Sequence, residues 1–251
     1  MSGNAFFIDT TVCTACRGCQ IACKQWNQLP ATKTEQWGSH QNPKDLSFYT
    51  YKLVRFTESL GPDGKPRWYF FPDQCRHCVE PPCQEAAEDD APGGIIIDGA
   101  TGAVLYTDRL RKAKAQDIID SCPFNIPRAE KGTGYMSKCT MCVDRVNNGL
   151  EPACVKTCPT GAMNYGARDE MVSLANQRLA EAKSKFPKAV ITGLDDLRCF
   201  YLLGDDPKKY HQYASVDRFP GVMDRKMALK KIGKSLRELS QEWNLLHKLV
   251  G

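Results

Sequence analysis

The sequence has 251 residues, enough for one large or two small domains, and 42% of them are hydrophobic, enough for a globular core. No apolar stretch approaches the roughly 18 residues needed to cross a bilayer, which excludes a transmembrane segment. The net charge of +5 does not indicate nucleic-acid binding, because residues 221–251 carry +4 of it and the rest of the chain is nearly neutral.

A short β-prone run, residues 5–9, leads into the first cysteine group. Its members, Cys13, Cys16, Cys19 and Cys23, have the spacing of bacterial [4Fe-4S] ferredoxins, in which the fourth cysteine ligates a second cluster. The complementary group follows far downstream as Cys139, Cys142, Cys154 and Cys158, with Pro159 directly after it. Exchange of the fourth ligands predicts one cluster on Cys13, Cys16, Cys19 and Cys158 and a second on Cys23, Cys139, Cys142 and Cys154.

A hairpin and a second cysteine unit are predicted between these two groups. Residues 48–58 and 66–71 flank the turn sequence Gly61-Pro62-Asp63-Gly64, which predicts a β-hairpin. A third cluster is predicted on Cys75, Cys78, Cys83 and Cys122, the last followed by Pro123. The same register would place four more ligands at Ala87, Lys112, Ala115 and Ile118. Because all four are missing together, the sequence predicts three [4Fe-4S] clusters and the loss of one complete cluster.

Turn signals and hydrophobic spacing predict the remaining elements. Residues 94–98 and 103–107 form a second candidate hairpin, and residues 109–120 a helix that could fill the space of the missing cluster. Asp169 is expected to cap a helix that runs to Phe186, and residues 198–203 to form a strand. An amphipathic helix is predicted in the basic tail from the spacing of Leu229, Ile232, Leu236, Leu239, Trp243, Leu246 and Val250.

These elements predict an α+β fold of two pseudo-symmetric, bacterial-ferredoxin-like units with inserted β-hairpins and a C-terminal helical extension. Residues 1–36 with 132–168 form the two-cluster unit, residues 37–71 an inserted hairpin, and residues 72–131 the one-cluster unit. Residues 169–215 form a helix–strand extension and residues 216–251 a basic amphipathic tail. The tail is expected to pack on the body or to dock on a partner or an anionic membrane surface.

Zinc sites and disulfides are the alternative interpretations of the cysteines. Structural zinc sites use paired Cys-x-x-Cys motifs and need neither a third cysteine two residues on nor a following proline. A disulfide framework is typical of small secreted chains. This chain has 251 residues, an odd number of cysteines (13) and no recognisable secretory signal. Cys199 lies outside all of these cysteine groups and is expected to be a buried strand thiol without a role.

Several basic residues lie within the cysteine groups: Arg17, Lys24, Arg76, His77, Lys138, Arg145 and Lys156. A tetrathiolate cluster is anionic, so nearby positive charge raises its reduction potential, and these residues are candidate tuning charges. The alternative for each of them is an ordinary solvated charge.

The sequence segments around the cysteines closely resemble those of the iron–sulfur β subunits of molybdenum- or tungsten-dependent formate dehydrogenases. The matching segments are CTACRGCQIACKQW (residues 13–26), FFPDQCRHC (70–78), PPC (81–83) and PACVKTCPTGAM (152–163). The resemblance covers roughly residues 5–215 and is strongest to the soluble, three-cluster version of that subunit. Four-cluster subunits of other molybdopterin oxidoreductases differ at Ala87, Lys112, Ala115 and Ile118, and membrane-bound relatives add a C-terminal transmembrane helix.

The resemblance implies a non-catalytic electron-transfer subunit. A separate molybdopterin α subunit, with tungsten or molybdenum, would oxidise formate, and this chain would relay single electrons to an acceptor such as a multihaem cytochrome c. The same relay could serve a sulfur-compound or nitrate reductase, and a zinc-stabilised binding protein with a basic tail is the alternative from another class. The resemblance implies export to the periplasm on the catalytic partner's signal, whereas the lack of a signal peptide fits the cytoplasm.

Overall fold

The computed structural model describes residues 3–215, which form helices and strands in mixed order. The helices are α1 (Gly18–Trp26), α2 (Pro82–Glu88), α3 (Ala115–Ser121), α4 (Val143–Val146), α5 (Ala153–Lys156) and α6 (Arg168–Ala182). The strands are β1 (Asn4–Asp9), β2 (Leu53–Leu60), β3 (Pro66–Asp73), β4 (Ile95–Ile97), β5 (Val104–Tyr106), β6 (Arg128–Ala129), β7 (Met136–Ser137), β8 (Met163–Ala167), β9 (Val190–Thr192) and β10 (Cys199–Leu203).

A four-stranded sheet with the order β8-β1-β10-β9 separates the cysteine region from helix α6. Strand β1 is antiparallel to β8 and parallel to β10, and it is hydrophobic on both sides because both faces are covered. Phe6 and Ile8 face the core that contains Cys19 and Cys154, whereas Ala5 and Phe7 face helix α6. The sheet therefore gives the cysteine loops a rigid, dry base.

Both predicted hairpins are confirmed. Strands β2 and β3 pair from Leu53 opposite Asp73 to Leu60 opposite Pro66, and β4 pairs with β5 through Ile95 opposite Tyr106. In the longer hairpin the end next to the cysteines is buried and the turn end is exposed. This hairpin places the residues at its buried end against the cysteine loops.

The two longer helix predictions need correction at their ends. The predicted helix over 109–120 is a 3-10 turn over Asp108–Lys112 followed by the short helix α3, because Ala113 and Lys114 are extended between them. Helix α6 begins at Arg168 and ends at Ala182, so Asp169 lies in its first turn and is not its cap. A carboxylate in the first turn still interacts favourably with the helix dipole.

The predicted amphipathic helix of the tail lies outside the described residues. Within residues 3–215, none of the helices combines the length and the apolar character that crossing a bilayer would require.

Candidate metal centres

Three Cys-x-x-Cys loops share one backbone shape; they begin at Cys13, Cys75 and Cys139. The residue before the second cysteine has a positive φ in each loop: Ala15 (54°), His77 (46°) and Met141 (60°). Positive φ is uncommon for residues other than glycine and stores strain. In these loops the strained conformation turns a backbone amide toward the sulfur of the first cysteine. The amides of His77 and Met141 donate to the sulfurs of Cys75 and Cys139, at 3.4 Å in both cases.

The two Cys-Pro segments form a second repeated shape. The third residue after the cysteine has a positive φ in both, at Asn125 (50°) after Cys122 and at Gly161 (67°) after Cys158. Asparagine is the residue that most often replaces glycine in this conformation. Backbone amides on either side of Asn125 and of Gly161 hydrogen-bond the sulfurs of Cys122 and Cys158. Such amides would stabilise a negatively charged sulfur.

Site 1 is the space enclosed by the first cysteine loop and Cys158. Cys13, Cys16, Cys19 and Cys158 line it together. Cys16 is exposed, and Cys13 and Cys158 are half-buried. Burial raises the pKa of Cys13 to about 11, whereas the pKa of Cys158 is lowered because the surrounding amides outweigh its burial.

Site 3 is a second such space, lined by Cys75, Cys78, Cys83 and Cys122. Burial raises the pKa of Cys83 to about 11 and that of Cys122 to about 12. The buried hydroxyl of Tyr106 forms no conventional hydrogen bond within residues 3–215 and interacts with Cys83. This hydroxyl is a donor held ready for an acceptor at the site.

Site 2 consists of Cys23, Cys139, Cys142 and Cys154, all of them buried. Cys23 comes from α1 and Cys154 from α5, and the packing of these helices brings them together. Burial, followed by the charge of neighbouring thiols, raises the pKa of Cys23 to about 12 and that of Cys139 well above its ordinary value. The neighbours that act on Cys139 include Cys23, Cys142 and Cys154.

Site 2 adjoins both of the other sites. Cys19 of site 1 interacts electrostatically with Cys23 and Cys154, and Cys75 of site 3 interacts with Cys139. These interactions link the sites in the order 1, 2, 3.

The donor sets fit a polynuclear cluster. Within the described part of the chain, no three Cys, His, Asp or Glu side chains converge closely enough to hold a single metal ion. At sites 1 and 3, four cysteines line one space, the number of thiolates that a [4Fe-4S] cluster uses. Cysteines bind metal as thiolates, so each thiol loses its proton when metal binds. A [4Fe-4S] cluster binds four such thiolates.

Three of the predicted tuning charges line a cysteine site: Arg17 at site 1, and Arg76 and Lys138 at site 3. The Arg76 guanidinium is 1% exposed and lies about 5 Å from the ring centres of Phe71, Phe124 and Tyr201. Lys138 is also buried and donates to the carbonyl oxygens of Val104 and Cys139.

The other four predicted charges are arranged differently: Lys24, His77, Arg145 and Lys156. The Lys24 ammonium donates to the carbonyl of Tyr49 at 2.9 Å and interacts with Cys23. Arg145 stacks on Trp26, with 4.1 Å between the guanidinium carbon and the ring centre. Lys156 is exposed. Burial, with Lys138 and Arg198 nearby, holds the pKa of His77 well below its ordinary value, so this imidazole is uncharged near neutral pH.

Sequence reasoning missed the buried cation Lys52. It lies two residues before Val54, which lines site 1, and is itself 2% exposed. Strand alternation gives no signal for it, because residues 52–55 are all buried.

Apolar packing fills the region of the four absent ligands. Ala87 and Ile118 are buried in one hydrophobic cluster with Leu110 and Met136, and Ala115 packs against it. Lys112 is exposed. The short helix α3 thus supplies side chains to a hydrophobic core at this place.

One family model and several characterised iron–sulfur subunits are similar to this chain. Residues 66–168 match the family model of a 4Fe-4S dicluster domain. The β subunit of formate dehydrogenase 2 (cytochrome c-553) of Nitratidesulfovibrio vulgaris is 53% identical over 214 residues, which are 84% of this chain and 98% of that protein. The formate dehydrogenase β subunit of Megalodesulfovibrio gigas is 51% identical over 212 residues, again 84% and 98%. The iron–sulfur subunit of the nitrate-inducible formate dehydrogenase of Escherichia coli is 39% identical over 213 residues, 82% of this chain and 71% of that one.

Proposed function

Since the chain belongs to the family of formate dehydrogenase β (iron–sulfur) subunits, we propose that its sites 1, 2 and 3 each hold one [4Fe-4S] cluster. The chain is the electron-transfer subunit of a formate dehydrogenase and not its catalytic subunit. Each bound cluster would take up and release one electron at a time. The observation that carries the proposal is that four cysteines line each of two spaces, in the combinations that the sequence predicts for sites 1 and 3.

The proposed ligands are Cys13, Cys16, Cys19 and Cys158 at site 1, Cys23, Cys139, Cys142 and Cys154 at site 2, and Cys75, Cys78, Cys83 and Cys122 at site 3. The repeated backbone shapes of the Cys-x-x-Cys and Cys-Pro segments support two pseudo-symmetric ferredoxin-like units. The hydrophobic cluster around Ile118 supports the absence of a fourth site in the second unit.

We propose that a molybdopterin α subunit binds near one end of this series and an electron acceptor near the other. The name of the Nitratidesulfovibrio relative includes cytochrome c-553, which supports a c-type cytochrome as the acceptor. The names of the relatives also favour formate over the substrates of other molybdopterin oxidoreductases. The buried charges of Arg76 and Lys138 would raise the reduction potential at site 3. Export to the periplasm with the catalytic subunit follows from the family resemblance.

Purification of the full chain with its bound partners, separately from periplasmic and cytoplasmic fractions, tests these proposals. We expect about 12 iron atoms per chain and a brown absorption that formate bleaches. A value nearer 16 would contradict the three-site assignment, and a colourless zinc protein would contradict the clusters altogether. A brown complex that is inactive with formate would move the chain to another molybdopterin enzyme.

A further inference from the structure

We propose that the hydroxyl group of Tyr106 donates a hydrogen bond to a sulfur atom of the cluster at site 3, and that this bond raises the reduction potential of that cluster. The inference rests on the proposed function, because it needs a cluster at this site. It assigns a role to a residue that belongs to none of the cysteine motifs.

The second hairpin places Tyr106 at site 3. Tyr106 is the last residue of β5 and pairs with Ile95 of β4, and it lines the same space as the four cysteines of the site. Its side chain also packs against the hydrophobic cluster that contains Ile118. The strand pairing and this packing together hold the ring beside the cysteines.

The ammonium group of Lys138 makes a further contact with the ring of Tyr106. Its Nζ lies 4.6 Å from the ring centre, a distance at which a cation is attracted to an aromatic face. The same ammonium donates to the carbonyl oxygens of Val104 and Cys139, the latter at 3.1 Å. Because Lys138 is itself held by the backbone, its contact helps to fix the ring and therefore the hydroxyl.

The Tyr106 hydroxyl is a buried donor without a conventional hydrogen-bond partner within residues 3–215. Such a group costs free energy, and a phenylalanine would fill the same space without that cost. Apart from Tyr106 and the cysteines, the side chains that line the space are apolar or, in Arg76 and Lys138, can only donate. The sulfur atoms are therefore the side-chain acceptors of this space, and the hydroxyl already interacts with Cys83.

A hydrogen bond at this place has a direct redox consequence. An added electron makes the sulfur atoms of a cluster more negative, so a donor stabilises the reduced state more than the oxidised one. The donor is a neutral dipole, whose effect falls off faster with distance than that of a charge. The potential at site 3 should therefore depend on Tyr106, and the potentials at sites 1 and 2 should not.

Redox titration of the purified complex, followed by electron paramagnetic resonance, tests this inference. In Tyr106→Phe, which keeps the ring and removes only the hydroxyl, we expect one of the three midpoint potentials to fall. At a fixed potential the reduced-to-oxidised ratio of that cluster should drop about three- to tenfold, equivalent to about 28–59 mV for a one-electron couple. The signal that shifts should be the one lost in Cys122→Ala, which disrupts site 3.

Tyr69→Phe is the matched control. The Tyr69 hydroxyl donates to Asp205 at 3.0 Å, and Tyr69 lines neither site 1 nor site 3. This variant also loses a tyrosine hydrogen bond, but it should shift none of the three potentials.

Electron–nuclear double resonance gives a measurement that a change in packing would not move. After exchange into D2O, the reduced cluster at site 3 should show a coupling to an exchangeable deuteron that Tyr106→Phe lacks, whereas couplings to backbone amides remain in both. In wild-type complex made with tyrosine deuterated next to its hydroxyl, the same cluster should also show coupling to ring deuterons.

Each outcome decides between the alternatives. Normal iron content with unchanged potentials in Tyr106→Phe would overturn the inference, as would a shifted potential with every exchangeable coupling retained, which would indicate a packing effect. If Tyr106→Phe fails to load site 3, the labelled wild-type complex decides: coupling to the ring deuterons supports the inference, and its absence contradicts it. A wild-type complex without a cluster at site 3 would instead refute the proposed function.

Discussion

The sulfur of Cys199 meets different partners from those of the other cysteines. It lies 0% exposed in the middle of the sheet, accepts a hydrogen bond from Gln74 and donates one to the hydroxyl of Tyr201. We therefore expect Cys199→Ala to keep about 12 iron atoms per chain and to lose only about 1 kcal/mol of stability. Cys122→Ala, the matched change at site 3, should lose the iron of one cluster, about four atoms. Iron and protein determination on the purified variants measures both effects. Loss of iron from Cys199→Ala would show that the thirteenth cysteine has a role at a cluster.

Prediction from sequence reaches furthest at this scale where the chemistry requires a fixed spacing. Cysteines 13 and 158 are far apart in the chain, yet the ferredoxin pattern pairs them, and the structure places them around one space. Lys52 could not be found in the same way, because no motif contains it. Its burial depends on the pairing of β2 with β3, which sets it opposite Gln74.

Among the elements, the β2–β3 hairpin contains a buried charge cluster at the end next to the cysteine loops. Asp73, 0% exposed, accepts from Arg55 at 2.7 Å and from Arg76 at 2.9 Å. Although burial acts to raise it, the pKa of Asp73 is lowered by these two guanidinium groups. A lowered carboxyl pKa means that the ion pairs contribute fully above the ordinary pKa and are lost as the pH falls through the lowered one.

We expect Asp73→Asn to destabilise the chain by about 3–5 kcal/mol, because it leaves the buried Arg76 without its counter-ion and leaves Arg55 with only Asp45. The apparent melting temperature, measured from the loss of cluster absorption on heating, should fall by roughly 10 °C or more. Asp63→Asn is the control from the other end of the same hairpin, where Asp63 pairs with Arg67 in the solvent at 3.0 Å. That exposed pair should contribute about 0–1 kcal/mol. Similar melting temperatures for the two variants would contradict the role given to Asp73.

Elements were predictable where local chemistry dictates them. The Gly61-Pro62-Asp63-Gly64 turn predicts its hairpin because Pro and Gly adopt the required backbone angles. Strand β8 was missed because it obtains its hydrogen bonds from β1, which is distant in the chain, and β9 was missed because it has only three residues. The helix expected over 109–120 was placed too early because hydrophobic spacing does not reveal the extended residues Ala113 and Lys114.

For the whole molecule, the main structural consequence is a series of three sites with site 2 in the middle. Site 1 is the most exposed, through Cys16, and site 2 is enclosed by buried cysteines. Site 2 interacts with each of its neighbours through thiols that belong to different segments of the chain. Electrons that travel between the ends should therefore require site 2, whichever end the catalytic subunit occupies.

Removal of one ligand at a time from the purified complex tests this order. In Cys154→Ala, which disrupts site 2, formate should rapidly bleach only one of the two remaining clusters, about half of their absorption.

The ends should behave differently from the middle and from each other. Among Cys16→Ala at site 1 and Cys122→Ala at site 3, loss of the site next to the catalytic subunit should stop rapid bleaching of both remaining clusters. Loss of the site next to the acceptor should leave both rapidly reducible. Stopped-flow absorption after mixing with formate distinguishes these cases. Rapid bleaching of both remaining clusters in Cys154→Ala would show that the sites are not in series, and the variant that stops bleaching altogether would identify the end that receives electrons.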